Sequence, residues 1–252
     1  RRTMASPDLP STPDPTSSTV DVTFFIPCYN EEENVVRAIE KVVQSARHLD
    51  IMYEILVFDD ASHDRTVDTV HRYQREHPEL PIRLFTNTVN KGVSRNFVEG
   101  AFQGKGDYYR LVCGDDIEPL ETHLELLSRR GTADIIVPYF TRIHGRTLRR
   151  HIISRFYTVL VNWFSGNSLH YYNGCPLYRR YDVLRYHVEA TGFGYQAEFL
   201  TRLLHEGKSY QEVALIASDR EGTASLNLRN CLSVAHTLLK IALRRLRVAL
   251  FK

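Results

Sequence analysis

Short apolar runs alternate with amphipathic helical patterns through the first half of the chain. Residues 20–27 are apolar and rich in β-branched and aromatic side chains, which predicts a strand. The helix predicted after it has apolar side chains at an i, i+3, i+4 spacing, namely Val35, Val36, Ile39, Val42 and Val43. Asn30 is the predicted cap of this helix, and the three glutamates at 31–33 suit a helix amino terminus.

The same pattern of strand and helix then recurs. Further strands are predicted at 53–58, at 83–86 and from residue 108, with helices running through Tyr73 and over 93–102. Strands that alternate with helices of this length pair in parallel through right-handed crossovers. The sequence therefore predicts an α/β fold, Rossmann-like, with a mostly parallel sheet flanked by helices.

Carboxylates follow three of these predicted strands. Glu31 follows the first, Asp59 and Asp60 the second, and Asp115 and Asp116 the fourth. The carboxyl ends of parallel strands meet at one edge of the sheet, where open α/β sheets bind ligands. Two adjacent aspartates there suggest a divalent cation and a phosphate. The alternative is that Gly-Asp-Asp is only a turn that closes the fourth strand.

Composition limits the class of protein. With 252 residues, 43% of them hydrophobic, the chain can bury a substantial core as one large or two small domains. A net charge of +2 argues against a nucleic-acid partner. The four cysteines have no paired CxxC spacing, which favours reduced thiols in a cytosolic protein over disulfides or a zinc site.

The two ends of the chain differ from its middle. Residues 1–19 are rich in Pro, Ser, Thr and Asp without a hydrophobic period, so we expect a flexible leader. Residues 228–252 form a predicted basic amphipathic helix, which could lie on an anionic membrane, pack on its own core or pair with another subunit. No apolar run reaches the length of a spanning helix, so a soluble or peripheral protein is expected.

Three short motifs occur in order along the first half. They are Ile-Pro-Cys-Tyr-Asn-Glu at 26–31, Phe-Asp-Asp-Ala-Ser-His-Asp at 58–64 and Asn-Lys-Gly-Val-Ser-Arg-Asn at 90–96. This set resembles the Pro-x-Tyr-Asn-Glu, Asp-Asp-x-Ser-x-Asp and Asn-x-Gly motifs of the inverting family-2 glycosyltransferases. The resemblance implies the GT-A fold over residues 20–227 and a nucleotide-sugar donor.

The second half resembles one branch of that family. The segments at 173–184 and 192–200 and the Glu-Val pair at 212–213 are similar to those of dolichol-phosphate-mannose synthase-like enzymes. That branch transfers a hexose to polyprenyl phosphate. The resemblance thus implies a polyprenyl-phosphate acceptor and a location in the cytoplasm, with the cytoplasmic face of the membrane as an option.

The family motifs assign donor-binding roles to individual residues. Around the base and ribose we expect Pro27, Tyr29, Glu31 and Asp59, although Pro27 and Tyr29 could simply pack within a loop. The predicted donor site also includes Asp60, Lys91, Gly92, Asp115 and Arg220. Arg220 lies in a segment that resembles the family's diphosphate-closing loop, and its alternative role is a surface ion pair with Asp219 or Glu221.

The predicted metal site departs from the family pattern. The resemblance implies that Asp115 and Asp116 hold Mg²⁺ or Mn²⁺, which would stabilise the departing nucleoside diphosphate. The family commonly carries Asp-x-Asp, but Cys113 stands at the first aspartate when Pro119 is aligned with the family's proline. A frame shifted by one residue leaves Gly114 there instead. The first carboxylate is missing in either case.

The predicted acceptor region is basic and apolar. Residues 141–164 contain five arginines and no acidic residue. Acceptor-binding residues are expected at Arg149, Arg150, Arg155 and Asn173. A phosphate acceptor is already an anionic nucleophile, whereas a hydroxyl acceptor needs a base, for which Glu198 is the candidate. Glu198 could instead be a solvated helix residue or orient the acceptor.

Three functions remain open at this stage. The preferred hypothesis is metal-assisted transfer of a hexose from a GDP-mannose or UDP-glucose type of donor to polyprenyl phosphate, with inversion, for which Asp115, Arg220 and Glu198 are the catalytic candidates. The alternatives are transfer to a hydroxyl of a soluble or cell-surface glycan and a non-catalytic nucleotide-sugar-binding scaffold. The missing first carboxylate motivates the scaffold.

Overall fold

The alternation of strands and helices along the chain confirms the α/β prediction. A computed structural model describes residues 20–186, 194–218 and 228–250. Its elements, in chain order, are β1 Val22–Cys28, α1 Val35–His48, β2 Tyr53–Asp59, α2 Thr66–Glu76, β3 Ile82–Thr86, α3 Val93–Gln103, β4 Tyr108–Leu111, α4 Leu120–Ser128, β5 Ile135–His144, α5 Leu148–Ser165, β6 Leu177–Arg179, α6 Arg180–Arg185, α7 Tyr195–His205, β7 Tyr210–Ser218 and α8 Leu228–Leu250.

These strands form one sheet in the order β3-β2-β1-β4-β6-β5-β7. Strand β1 pairs in parallel with β2 and β4, and β2 pairs in parallel with β3. Strand β6 runs antiparallel to both of its neighbours, and β7 is parallel to β5. The first three strands and β4 therefore end at one edge, which places the loops that follow β1, β2 and β4 side by side.

Helices cover both faces of the sheet. Side chains alternate along β1, so Phe24 packs with Ile39 and Val42 of α1, while Phe25 packs with Phe97 of α3 on the other face. Each such side chain contributes about 1.5–3 kcal/mol when fully buried. The two apolar layers hold the strand ends in place.

The predicted cap of α1 is wrong. The helix begins at Val35 and Asn34 precedes it, so Asn30 and the glutamates at 31–33 lie in the loop. Asn30 instead has a left-handed backbone (φ 58°), which asparagine tolerates better than most residues. Its side chain bonds to the neighbouring loop, and this contact replaces capping.

Helix α8 forms in the region of the predicted carboxy-terminal helix. It packs on α5 and α7, and Leu238 and Ile241 are buried in the apolar layer on the α3 face. Within the described ranges, no helix is both long and apolar enough to cross a bilayer. The predicted leader at 1–19 lies outside the described residues, as do the segments at 187–193 and 219–227.

Candidate donor and metal site

The loops after β1 and β2 are bonded to each other. The backbone N–H of Asn30 donates to Ser62 Oγ (2.9 Å), and that of His63 donates to Asn30 Oδ1 (2.8 Å). The backbone N–H of Glu32 donates to Asp64 (3.0 Å). Burial alone would raise the pKa of Asp64, but hydrogen bonds from Thr66 and Glu32 hold it below its usual value. The first two motifs therefore act as one structural unit.

Asp59, the last residue of β2, has a buried carboxylate. The residue is only 2% exposed, and its Oδ2 accepts from the backbone N–H of Ser62 at 3.1 Å. Its Oδ1 is buried and has no hydrogen-bond donor within the described parts of the chain. A buried acceptor without a donor is costly, so this oxygen suits the N–H group of a bound base.

The other residues predicted around the base border the same loops. Tyr29 is 46% exposed and contacts the ring of His63 edge-on, at 6.2 Å between centroids. Pro27 is half-buried at the end of β1, where it pairs with Phe58 of β2. The carboxylate of Glu31 accepts from the side-chain amide of Asn34 at 2.7 Å. Tyr29 thus offers an open aromatic surface at the edge that carries Asp59.

Asp60 holds the loop that precedes α3. Its Oδ1 accepts from the backbone N–H of Lys91 and its Oδ2 from that of Gly92, both at 2.8 Å. Burial opposes ionisation, but hydrogen bonds from Asn96, Lys91 and Asn87 lower the pKa of Asp60. These bonds engage both carboxylate oxygens, so the structure favours a positioning role for Asp60 toward Lys91 and Gly92.

Side chains of helix α1 contact the loop at 112–119 that follows β4, here called the acidic loop. Lys41 Nζ lies 2.8 Å from Asp116 Oδ1 and donates to the carbonyls of Asp116 (3.3 Å) and Glu118 (2.9 Å). Arg37 adds a contact to Asp116 Oδ2 at 3.2 Å. Asp116 also has a left-handed backbone (φ 61°). Its carboxylate is bonded to α1, and the metal-binding roles of Asp115 and Asp116 stay predictions.

A buried cluster of Arg110, Glu118 and His123 lies beneath the acidic loop, on its core side. Arg110, in β4, is fully buried and donates to Glu118 Oε2 (2.7 Å) and to His123 Nδ1 (2.6 Å). Burial raises the pKa of Glu118 although Arg110 opposes that shift. Burial and the charge of Arg110 lower the pKa of His123 well below its usual value. The imidazole is therefore neutral and accepts the hydrogen bond.

Cys113 is half-buried and packs against the apolar core. The neighbouring thiol of Cys175, together with burial, raises the pKa of Cys113 well above its usual value. Cys113 packs against the same apolar layer that contains Cys175. A neutral thiol in that position does not replace the missing carboxylate of the family pattern.

The next residue, Gly114, permits a close approach of the loop to β1. A Cβ at Gly114 would lie 2.8 Å from both Cys28 Sγ and the carbonyl oxygen of Pro27. Any larger residue would push the loop away from the end of β1. The glycine therefore keeps the loop that carries Asp115 close to the end of β1.

The donor set around Asp115 fits a hard divalent cation. Asp115 is half-buried and supplies carboxylate oxygens, which Mg²⁺ and Mn²⁺ prefer. No group of three or more His, Cys, Asp or Glu side chains with metal-binding geometry occurs in the parts of the chain that the structure describes. Mg²⁺ is commonly held by one or two carboxylates together with substrate phosphates. Asp115 and a donor diphosphate match that pattern.

Glu198 is buried, so its interpretation as a solvated helix residue is wrong. It is 4% exposed on α7, and its Oε1 lies 3.3 Å from Nη2 of Arg244 on α8. Its Oε2 is buried without a hydrogen bond from any described residue. Arg244 also donates to the backbone carbonyl of Glu198 at 3.2 Å. The pair fixes α7 against α8.

The predicted acceptor residues lie on two segments. Arg149 and Arg155 are exposed on α5, and Arg150 is half-buried there. Asn173 is half-buried, and its Oδ1 lacks a hydrogen-bond donor within the described ranges. Arg220 falls outside the described residues, so its predicted contact with the diphosphate stays a prediction.

Several residues that shape the site were missed from the sequence. The supports of the acidic loop are Arg37, Lys41, Arg110 and His123, and the partner of Glu198 is Arg244. The one local signal was an arginine inside the apolar run at 108–112, with an acid and a histidine 8 and 13 residues later.

Comparison with known proteins places this geometry in a family. The sequence profile of Glycosyl transferase family 2 matches residues 23–186. The chain belongs to glycosyl transferase family 2. The match includes β1, β2 and β4 with the loops that carry Asp59 and Asp115, so the resemblance read from the motifs is confirmed.

Curated relatives are similar at low identity. The chain is 26% identical over 225 residues to an undecaprenyl-phosphate 4-deoxy-4-formamido-L-arabinose transferase of Pectobacterium atrosepticum, which covers 87% of the chain and 66% of that protein. It is 26% identical over 139 residues to a dolichyl-phosphate beta-glucosyltransferase of Trichomonas vaginalis, with 51% and 41% covered. The chain thus spans about two thirds or less of the length of these relatives.

Solved structures share the fold. A mannosyltransferase from Pyrobaculum calidifontis in complex with GDP-Man and Mn²⁺ superposes with a TM-score of 0.64 at 18% identity, covering 94% of this chain and 66% of that one. Glucosyl-3-phosphoglycerate synthase from Mycobacterium tuberculosis with UDP gives a TM-score of 0.65 at 18% identity, covering 89% and 80%. These glycosyltransferases confirm the GT-A fold.

Proposed function

We propose that the protein transfers a hexose from a nucleotide diphosphate sugar to polyprenyl phosphate with inversion at the anomeric carbon. The observation that carries the donor half is the edge of the sheet at which Asp59, with its buried Oδ1, ends β2 and Asp115 follows β4, the two strands that flank β1. The acceptor half is supported by relatives whose names specify undecaprenyl-phosphate and dolichyl-phosphate enzymes.

Different residues bind different parts of the donor. Asp59 accepts a hydrogen bond from the base, Tyr29 packs against it, and Glu31 and Pro27 border the ribose. The loop that Asp60 holds presents Lys91 and Gly92, and Arg220 pairs with the diphosphate. Asp115 would hold Mg²⁺ or Mn²⁺, whose positive charge stabilises the departing nucleoside diphosphate.

The arrangement favours a phosphate acceptor over a hydroxyl. A phosphate oxygen attacks the anomeric carbon without losing a proton, so no general base is required. The carboxylate of Glu198 is paired with Arg244, which suits an orienting group better than a base. Asn173 and the arginines of α5 would bind the acceptor, and the reaction would take place at a membrane surface on its cytoplasmic side.

One assay separates the candidate functions. Purified protein is incubated with GDP-mannose or UDP-glucose, with polyprenyl phosphate or a glycan acceptor, and with Mn²⁺, Mg²⁺ or a chelator. We expect a lipid-linked sugar that forms only with the cation and is lost in Asp115→Asn. Transfer to the glycan alone would contradict the lipid acceptor. Donor binding without any transfer would leave the scaffold function.

A further inference from the structure

Two neighbouring helices present apolar stripes to solvent. On α5 the stripe runs at helical spacing, and on α8 a shorter stripe has the same character. The side chains of the two stripes are between 51% and 76% exposed, and they are Leu148, Ile152, Phe156, Val159, Trp163, Leu239, Leu243 and Leu246. These eight residues are here called the α5–α8 face. Exposed apolar side chains that are grouped in this way are typical of an interaction site.

The face is already oriented away from the protein core. Helix α5 buries Thr158, Val161 and Ser165, and α8 buries Leu238 and Ile241, so the stripes occupy the opposite sides. Arg245 of α8 donates to the carbonyl of Trp163 at 2.7 Å, which fixes the two helices to each other. The residues that the structure describes therefore leave this face exposed.

The two helices carry positive charge and no acidic residue. No Asp or Glu occurs between Asp134 and Asp182 or after Glu221, whereas Arg149, Arg155, Arg245 and Arg247 are exposed on these helices. A second copy of the chain would bring two basic rims together, which is unfavourable. An anionic surface complements them.

We propose that the α5–α8 face docks on an anionic lipid bilayer. Helices with an apolar face and a basic rim lie in the plane of the membrane interface, with their apolar side chains at the boundary between head groups and acyl chains. Tryptophan is favoured at that depth because its ring is amphipathic. The inference deepens the proposed function and rests on it for its purpose, since docking brings the donor site to a membrane-embedded acceptor.

The chain carries its own probe for this contact. Its single tryptophan, Trp163, is 70% exposed in the middle of the face. With vesicles of phosphatidylcholine and phosphatidylglycerol, we expect a blue shift of Trp163 emission, quenching by brominated lipids and protection from aqueous acrylamide. High salt should weaken these changes because it screens the basic rim. Vesicles of phosphatidylcholine alone should give a much smaller shift.

Two matched double variants test whether the α5–α8 face is the surface that contacts the membrane. Phe156→Ser with Leu243→Ser should lower the partition coefficient onto anionic vesicles by about tenfold or more, because two large apolar side chains leave the interface. Met52→Ser with Phe102→Ser, at equally exposed positions elsewhere, should leave it unchanged. Equal loss in both pairs would overturn the assignment.

Other outcomes overturn the proposal itself. Unchanged Trp163 emission with anionic vesicles would overturn it. A blue shift without vesicles, in a species of twice the chain mass, would also overturn it, because the face would then bind a second copy of the chain. None of these measurements needs donor, acceptor or transfer. Failure to dock is therefore separable from failure of the transferase assay.

Discussion

At the scale of single residues, Asp59 is the sharpest test of the donor site. Asp59→Asn replaces an acceptor by an amide that can present a donor to the base, while the size is preserved. We expect donor affinity to fall by about 10- to 100-fold, the effect of about 1–3 kcal/mol for one buried hydrogen bond. Isothermal titration with a nucleoside diphosphate measures it.

Asp60→Asn is the matched control for that variant. Asp60 bonds to the backbone of Lys91 and Gly92, so its substitution should lower the melting temperature, with a smaller effect on affinity. If Asp59→Asn bound the nucleotide as tightly as the natural chain, Asp59 would not contact the base.

Cys113 tests whether the family's missing carboxylate can be restored. Because Cys113 is half-buried and packs against the apolar layer that contains Cys175, Cys113→Asp should partly desolvate a carboxylate and destabilise the fold by about 1–3 kcal/mol. Binding of Mn²⁺ in the presence of nucleoside diphosphate, followed by electron paramagnetic resonance, should not tighten. Asp115→Asn should abolish that binding. Tighter Mn²⁺ binding in Cys113→Asp would show that residue 113 can reach the cation.

At the scale of elements, α1 controls the loop that bears Asp115. Lys41 contacts the loop through one carboxylate and two carbonyls, whereas Arg37 makes a single contact and its side chain is 58% exposed. Lys41→Met should accelerate amide hydrogen exchange in residues 113–119 by about fivefold or more, since each lost hydrogen bond contributes about 1 kcal/mol.

Arg37→Met serves as the control for that measurement. It removes a charge from the same helix but leaves both carbonyl contacts of Lys41 in place, so exchange in 113–119 should change little. Equal acceleration by the two variants would mean that charge, and not the contacts of Lys41, holds the loop.

At the scale of the whole molecule, local patterns predicted the strands and their terminal carboxylates correctly. A buried strand and an amphipathic helix each leave a periodic signal, so the positions of Asp59 and Asp115 followed from β2 and β4. The contact between Lys41 and Asp116 joins residues 75 positions apart, and that between Arg244 and Glu198 joins residues 46 apart. No local pattern encodes such pairs.

The errors have the same origin. Asn30 satisfies the usual preference for a helix cap, but the loop after β2 offers it closer partners in Ser62 and His63. Glu198 looks solvated on an isolated helix, but it is buried where α7 packs on α8 and pairs with Arg244. Tertiary contacts override a local preference in both cases.

His123 and Glu118, which are buried beside Arg110, make the stability of the whole fold depend on pH. Burial, with Arg110 and Lys41 nearby, lowers the pKa of His123 well below 6.5. The unfolded chain therefore binds one more proton than the folded chain as the pH falls below that value. The free energy of unfolding should decrease by up to about 1.4 kcal/mol per pH unit there. Glu118, whose pKa burial raises above 4.5, takes up a proton in the folded state and opposes this trend at lower pH.

Urea denaturation of the natural chain and of His123→Gln between about pH 7 and pH 5.5 measures this contribution. Glutamine keeps an acceptor for Nη1 of Arg110 but does not titrate, so the loss of stability over this interval should be smaller in the variant by about 1 kcal/mol or more. The other histidines are present in both proteins, and their effects cancel in the difference. Parallel curves for the two proteins would mean that His123 is protonated in the folded state, and Arg110 would then need another acceptor.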